Sequence, residues 1–135
     1  MFQLSKKVEY GLIAMRHMAM SRRGHIITTK EIADLYQIPY DLLAKVMQKL
    51  TKEKFISSYQ GVHGGYVLSR PPGELKVSAI INAIEGRQSV SIIQCEAEPS
   101  ENCLIHTTCT IKNPLVRLQS SINKVFDEMS IMEMV

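Results

Sequence analysis

No part of this 135-residue chain is apolar for long enough to act as a secretion signal or to cross a membrane as a helix. After Met1-Phe2-Gln3-Leu4-Ser5-Lys6-Lys7, the first apolar segment is broken by Glu9, Arg16 and His17, so a cytoplasmic location is expected. Cysteine is scarce and odd in number, with only Cys95, Cys103 and Cys109. Without an export signal, an odd count argues against a disulfide framework and leaves metal or plain thiol chemistry, because the cytosol keeps thiols reduced. There is no Cys-x-x-Cys pair, which removes both the tight turn of a zinc knuckle and a dithiol redox catalyst. No positioned base accompanies a thiol, so an enzyme is not expected. Internal repeats and low-complexity tracts are also absent. The starting expectation is one compact core with an appended element.

What is present is unevenly distributed. Residues 1–72 carry eleven Lys/Arg against five Asp/Glu, a balance of +6, whereas residues 73–135 carry five against eight, a balance of −3. A basic first half suits an approach to phosphate, and an acidic second half suits another task.

The periodicity of the first half describes a compact reader. Leu4, Val8, Leu12, Met15 and Ala19 recur at helical spacing and predict an amphipathic helix over about 4–21. Thr28-Thr29-Lys30-Glu31 fits a capping box for a short second helix. Gln37-Ile38-Pro39 is a tight link into a third helix expected to bury Leu42, Leu43, Val46, Met47 and Leu50. Two helices joined so closely form a helix-turn-helix. Residues 55–60 and 66–70 are β-formers flanking Gly61-Val62-His63-Gly64-Gly65, which predicts a hairpin wing. Val77, Ile80, Ile81 and Ile84 predict a fourth helix ended by Gly86. From Asn113-Pro114 onward, Leu115, Leu118, Ile122, Val125 and Met129 alternate steps of three and four, a seam that calls for a second helix. The chain has no obvious spare helix to cover it, so a homodimer through residues 113–129 is expected.

The fold class is therefore mainly α with a small β-hairpin: a winged helix-turn-helix with a long C-terminal dimerisation helix. The expected divisions are a DNA-binding domain at 1–86, a cysteine-bearing loop at 87–112, and a dimerisation helix with its tail at 113–135. On the third helix the apolar face leaves Tyr40, Asp41, Ala44, Lys45, Gln48, Lys49 and Lys52 pointing outward. Lys45, Lys49 and Lys52 suit phosphates, and Tyr40 and Gln48 suit base edges in the major groove of double-stranded operator DNA. Gln60, His63, Gly64 and Gly65 on the wing suit the adjacent minor groove, and Thr28 completes the candidate DNA contacts.

All three cysteines fall within fifteen positions, as Cys95-x7-Cys103-x5-Cys109. Such wide spacing suits an iron–sulfur cluster, whose irons normally take four protein ligands. The fourth place is open to His106, His17 or a carboxylate.

The residues Lys6-Lys7-Val8-Glu9-Tyr10-Gly11, Lys30-Glu31-Ile32-Ala33, Ile38-Pro39, Gly61-Val62-His63-Gly64-Gly65-Tyr66 and Ser69-Arg70-Pro71-Pro72, with three spaced cysteines ahead of a long helix, follow in a specific order. In this the chain resembles winged-helix regulators of the Rrf2 class, the IscR-, NsrR- and RirA-like proteins, over nearly its whole length. The resemblance implies a homodimeric repressor-type regulator, with crossed C-terminal helices and operator binding controlled by a 4Fe-4S or 2Fe-2S cluster that reads nitric oxide, iron or cluster status. It implies Cys95, Cys103 and Cys109 as metal ligands. IscR-like members carry a histidine where this chain has Lys112, whereas NsrR-like members take an acidic side chain from the other subunit's first helix, where Glu9 stands. The cysteine spacing also resembles RirA-like proteins, and Gln60 replaces an arginine found in many relatives. Cysteine-metabolism members of the same class imply the alternative, a regulator responsive to thiols or to a protein and without a cluster.

Overall fold

The computed structural model describes residues 4–86 and 111–135, and everything but the side chain of Lys112 within them. Five helices and one hairpin are built from these residues: α1 (Lys6–Met20), α2 (Thr29–Tyr36), α3 (Tyr40–Lys52), β1 (Ile56–Tyr59), β2 (Gly65–Leu68), α4 (Val77–Glu85) and α5 (Lys112–Glu128). Short 3-10 turns stand at Pro72–Glu74 and Ile131–Met134. Among the described residues no helix is long and apolar enough to cross a membrane.

Local chemistry accounts for most boundaries. Ser5 caps α1 by accepting the Val8 N–H at 3.3 Å, and Thr28 caps α2 by accepting the Glu31 N–H at 3.1 Å. Each bond satisfies one of the donors that a helix start leaves without an intrahelical partner. Pro39 stands immediately before α3 and its carbonyl accepts from Leu43 at 3.1 Å. Gly86 ends α4 in a left-handed conformation, as the sequence predicts.

The core lies where α1, α3 and α4 converge. Val8, Ala14, Met15 and Met18 from α1, Leu43, Val46, Met47 and Leu50 from α3, and Val77, Ile80, Ile81 and Ile84 from α4 are all buried. Each large side chain removed from water contributes about 1.5–3 kcal/mol, so these rows dominate cohesion. Leu42, expected in this core, is 37% exposed. It lies beside the Leu43, Val46, Met47, Leu50 stripe, at the flank of the face that the helix period turns inward.

The hairpin pairs antiparallel, with Ile56 opposite Leu68 and Tyr59 opposite Gly65. Its base is seated in the core through Phe55 and Ile56. A third strand position docks it sideways: Ile27 and Tyr66 exchange two backbone hydrogen bonds of 2.9 and 2.8 Å. The link between α1 and α2 thereby fixes the wing relative to the helix-turn-helix.

Two features of the C-terminal region go beyond the sequence expectation. After α5 the chain returns to the core, where Ile131 is fully buried, its N–H bonds Leu75 O at 2.9 Å, and Val77 N–H bonds Met129 O at 2.9 Å. Arg16 Nε reaches across from α1 to donate to Met134 O at 2.7 Å, and a capping box of Ser130 and Glu133 closes the turn. The expected seam on α5 is also divided. Ile122 turns with Phe126 toward the chain's own core, whereas Leu118 and Val125 remain 50% and 60% exposed.

Candidate nucleic-acid interface

Two residues set the geometry of the turn that presents α3. Gln37 adopts the left-handed conformation with φ 55° and ψ 45°, and Ile38 N–H returns to Ala33 O at 2.9 Å while its side chain is buried. The chain reverses within three residues, and Pro39 starts the next helix with a preset φ.

Burial of the Leu43, Val46, Met47, Leu50 stripe leaves Tyr40, Asp41, Lys45, Gln48, Lys49 and Lys52 exposed and Ala44 half-buried. Lys45 and Lys52 have no hydrogen-bond or ion-pair partner among the described residues, so their ammonium groups are available. Lys49 differs: its Nζ donates to Ile84 O at the end of α4, at 2.8 Å. Thr28 Oγ1 already accepts from Glu31, which leaves its hydroxyl hydrogen to donate outward.

The tip of the wing, Gln60 to His63, is exposed, and Val62 at 97% is the barest large apolar side chain described. It was not among the residues singled out from sequence, where an apolar residue between Gly61 and His63 carries no hydrogen-bonding signal. Gly64 and Gly65 have a structural reason to be glycine. A Cβ on Gly64 would meet Tyr59 O at 2.6 Å, and one on Gly65 would meet Ile27 O at 2.8 Å. Both contacts are with backbone, which cannot swing aside, so a side chain on Gly64 would distort the loop of the wing itself and one on Gly65 would push the wing off its bridge to Ile27.

Of the residues considered for metal, Cys95, Cys103, Cys109 and His106 lie outside the described residues. Glu9 is on α1, partly exposed, with its carboxylate 2.9 Å from Lys6 Nζ in an i, i+3 ion pair. That contact holds the Lys6 ammonium above its ordinary pKa, first through the hydrogen bond and then through charge. His17 Nδ1 lies 2.9 Å from the Tyr36 hydroxyl with the two rings edge to face. Among the described residues no three His, Cys, Asp or Glu side chains are grouped to hold a metal ion.

The comparisons with known proteins agree with this geometry. Residues 4–135 match the Rrf2 family model, described as an iron-dependent transcriptional regulator. The transcriptional regulator NsrR of Oceanobacillus iheyensis is 26% identical over 132 residues, spanning 98% of this chain and 88% of that protein. The structure of IscR from T. potens is 26% identical with a TM-score of 0.74, over 98% of this chain and 85% of that one. The oxidized form of Staphylococcus aureus CymR is 27% identical with a TM-score of 0.71, over 96% and 92%. A winged helix with these relatives and a family match along nearly all its length places the chain in the Rrf2 family of transcriptional regulators.

Proposed function

We propose that this regulator is a cytoplasmic homodimer whose affinity for operator DNA is set by an iron–sulfur cluster. What carries the reading is the joining, in one chain, of an exposed polar face on α3 to a segment with three thiols that begins where α4 ends. Lys45 and Lys52 would neutralise phosphates, Tyr40 and Gln48 would read base edges, and Thr28 and the wing residues Gln60, His63, Gly64 and Gly65 would hold the backbone on either side. Phosphate contacts would dominate affinity and make it fall steeply with salt.

Cys95, Cys103 and Cys109 would hold the cluster as thiolates, with Glu9 of the partner subunit in the fourth place. The donor set fits: thiolates are the ordinary ligands of iron–sulfur clusters, and a carboxylate is a weaker, more exchangeable one. Glu9 is not locked in the core, since its ion pair with Lys6 is at the surface and such pairs contribute little to stability. When bound, a cluster with one weak corner supplies a centre open to attack by a small molecule such as nitric oxide, or to loss when iron is short. The likeness to NsrR and IscR supports this reading.

A second reading, a regulator that responds through its thiols without metal, is supported by the comparable likeness to CymR, solved in an oxidized form. Anaerobic absorbance with iron and sulfide analysis separates the two. A visible spectrum with stoichiometric iron and sulfide, erased by nitric oxide or a chelator, is the expected result. Colourless protein that also resists anaerobic reconstitution would overturn the cluster and leave the thiol reading.

A further inference from the structure

The three lysines on α3 look alike in sequence but not in space. With about 100° of turn per residue, Lys45 and Lys52 stand opposite the buried stripe of Leu43, Val46, Met47 and Leu50, whereas Lys49 stands at its edge, on the side of α4. There its ammonium is 2.8 Å from Ile84 O. The last carbonyls of a helix have no intrahelical donor and sit at the negative end of its dipole, so a lysine is well suited to cap them.

The turn of α4 that Lys49 grips is also packed tightly against α1. A Cβ on Gly11 would lie 2.3 Å from Ile84 Cδ1 and 3.1 Å from Val46 Cγ1, so α1, α3 and α4 meet at Ile84 with no room between them. The Ser5 hydroxyl donates to the Glu85 carboxylate, which ties the start of α1 to the same turn. Among the described residues, the reading helix is thus held to α4 by the core that Val46 and Ile84 share and by the directional bond from Lys49.

We propose that Lys49 is a positioning residue rather than a phosphate contact: it clamps α3 to the end of α4 and sets the angle at which Tyr40, Lys45 and Gln48 meet the major groove. The inference rests on the reading of α3 as the DNA-binding helix. It makes Lys49 a determinant of sequence preference with no share in non-specific affinity. The carbonyl that Lys49 holds belongs to Ile84, three positions in sequence before residue 87, where the cysteine-bearing segment begins.

The test measures full-chain affinity for a random-sequence duplex and for a duplex selected by the wild-type protein from a random pool, each across a range of salt. Lys45→Met is expected to weaken both and to lower the salt slope by about one, the signature of a lost phosphate contact. Lys49→Met is expected to keep the slope and the random-duplex affinity within about twofold, and to lower the preference for the selected duplex by about tenfold, the order of a disturbed base contact. Lys49→Arg should restore the preference, since a guanidinium can donate to the same carbonyl. A slope lowered by Lys49→Met as much as by Lys45→Met would overturn the inference, and so would an unchanged preference.

Reductive methylation of the wild-type chain provides a second measurement that needs no variant. Lys49 should react slowly with or without random duplex, and Lys45 should react quickly until duplex is added. Lys49 reacting as fast as Lys45 and gaining protection on DNA would make it a phosphate contact. If the wild-type chain binds no duplex either after anaerobic cluster reconstitution or after cluster removal, the DNA reading fails and this inference with it; if only Lys49 behaves unexpectedly, the DNA reading stands.

Discussion

Gln37 carries a side chain in a backbone conformation that suits glycine. An L-residue in the left-handed region is disfavoured by roughly 1–2 kcal/mol because its Cβ crowds the following carbonyl. Gln37→Gly is therefore expected to stabilise the protein by about 0.5–1 kcal/mol, after the greater chain entropy of glycine is subtracted, and to raise Tm by about 1–4 °C. A lower Tm in a thermal melt would show that the glutamine side chain holds the turn. At this scale the sequence conveys residue type but not neighbourhood. Lys45 and Lys49 are equivalent as exposed lysines four positions apart, and only the approach of α4 distinguishes them. Gly64 and Gly65 were legible as turn residues, but the reason both must be glycine is the carbonyl oxygens of Tyr59 and Ile27, which local sequence does not place.

The elements of the first half follow from short-range rules, so they were legible. The Ser5 cap, which starts α1 at Lys6 and not near residue 4, is a feature of the structure that the sequence reading did not include, whereas the Thr28 cap, the Pro39 start and the periodic apolar rows act within a turn or two of the residues that encode them, as does the glycine stop at Gly86 further on. The closing turn Ile131–Met134 was not, because its partners lie far away in sequence: Ile131 bonds Leu75, and Met134 receives Arg16. This tail holds the end of α5 against the start of α4. Ile131→Ala should cost about 2–4 kcal/mol, as for other fully buried isoleucines, and lower the urea midpoint with little change in m. A loss under about 1 kcal/mol would mean that the tail only rests on the core and does not brace it.

In the whole molecule, α5 has two faces. Ile122 and Phe126 pack inward, while Leu118 and Val125 remain 50% and 60% exposed, seven residues apart and in register with Ile111, 59% exposed, just before the helix. A heptad row of this kind is the seam of paired helices, and in the proposed homodimer it meets its copy. Replacing Leu118 and Val125 together by glutamate should convert the dimer to monomer in sedimentation equilibrium, because each carboxylate would be carried into an apolar seam. The fold of each chain should persist in circular dichroism, since neither side chain is in the monomer core. A dimer that survives both charges would move the interface elsewhere.

The sequence by itself determined the class of the molecule: a helix-turn-helix with a wing, a basic first half, three grouped thiols and a long amphipathic helix. These rest on local propensity, periodicity and composition, which need no distant contact. Tertiary structure alone decided which side of α5 stays open, where the C-terminal tail docks, how the bridge from Ile27 to Tyr66 seats the wing, and which lysine of α3 is held by α4. Each of these depends on a contact between residues tens of positions apart, and such a contact exists only once the core has brought the elements together.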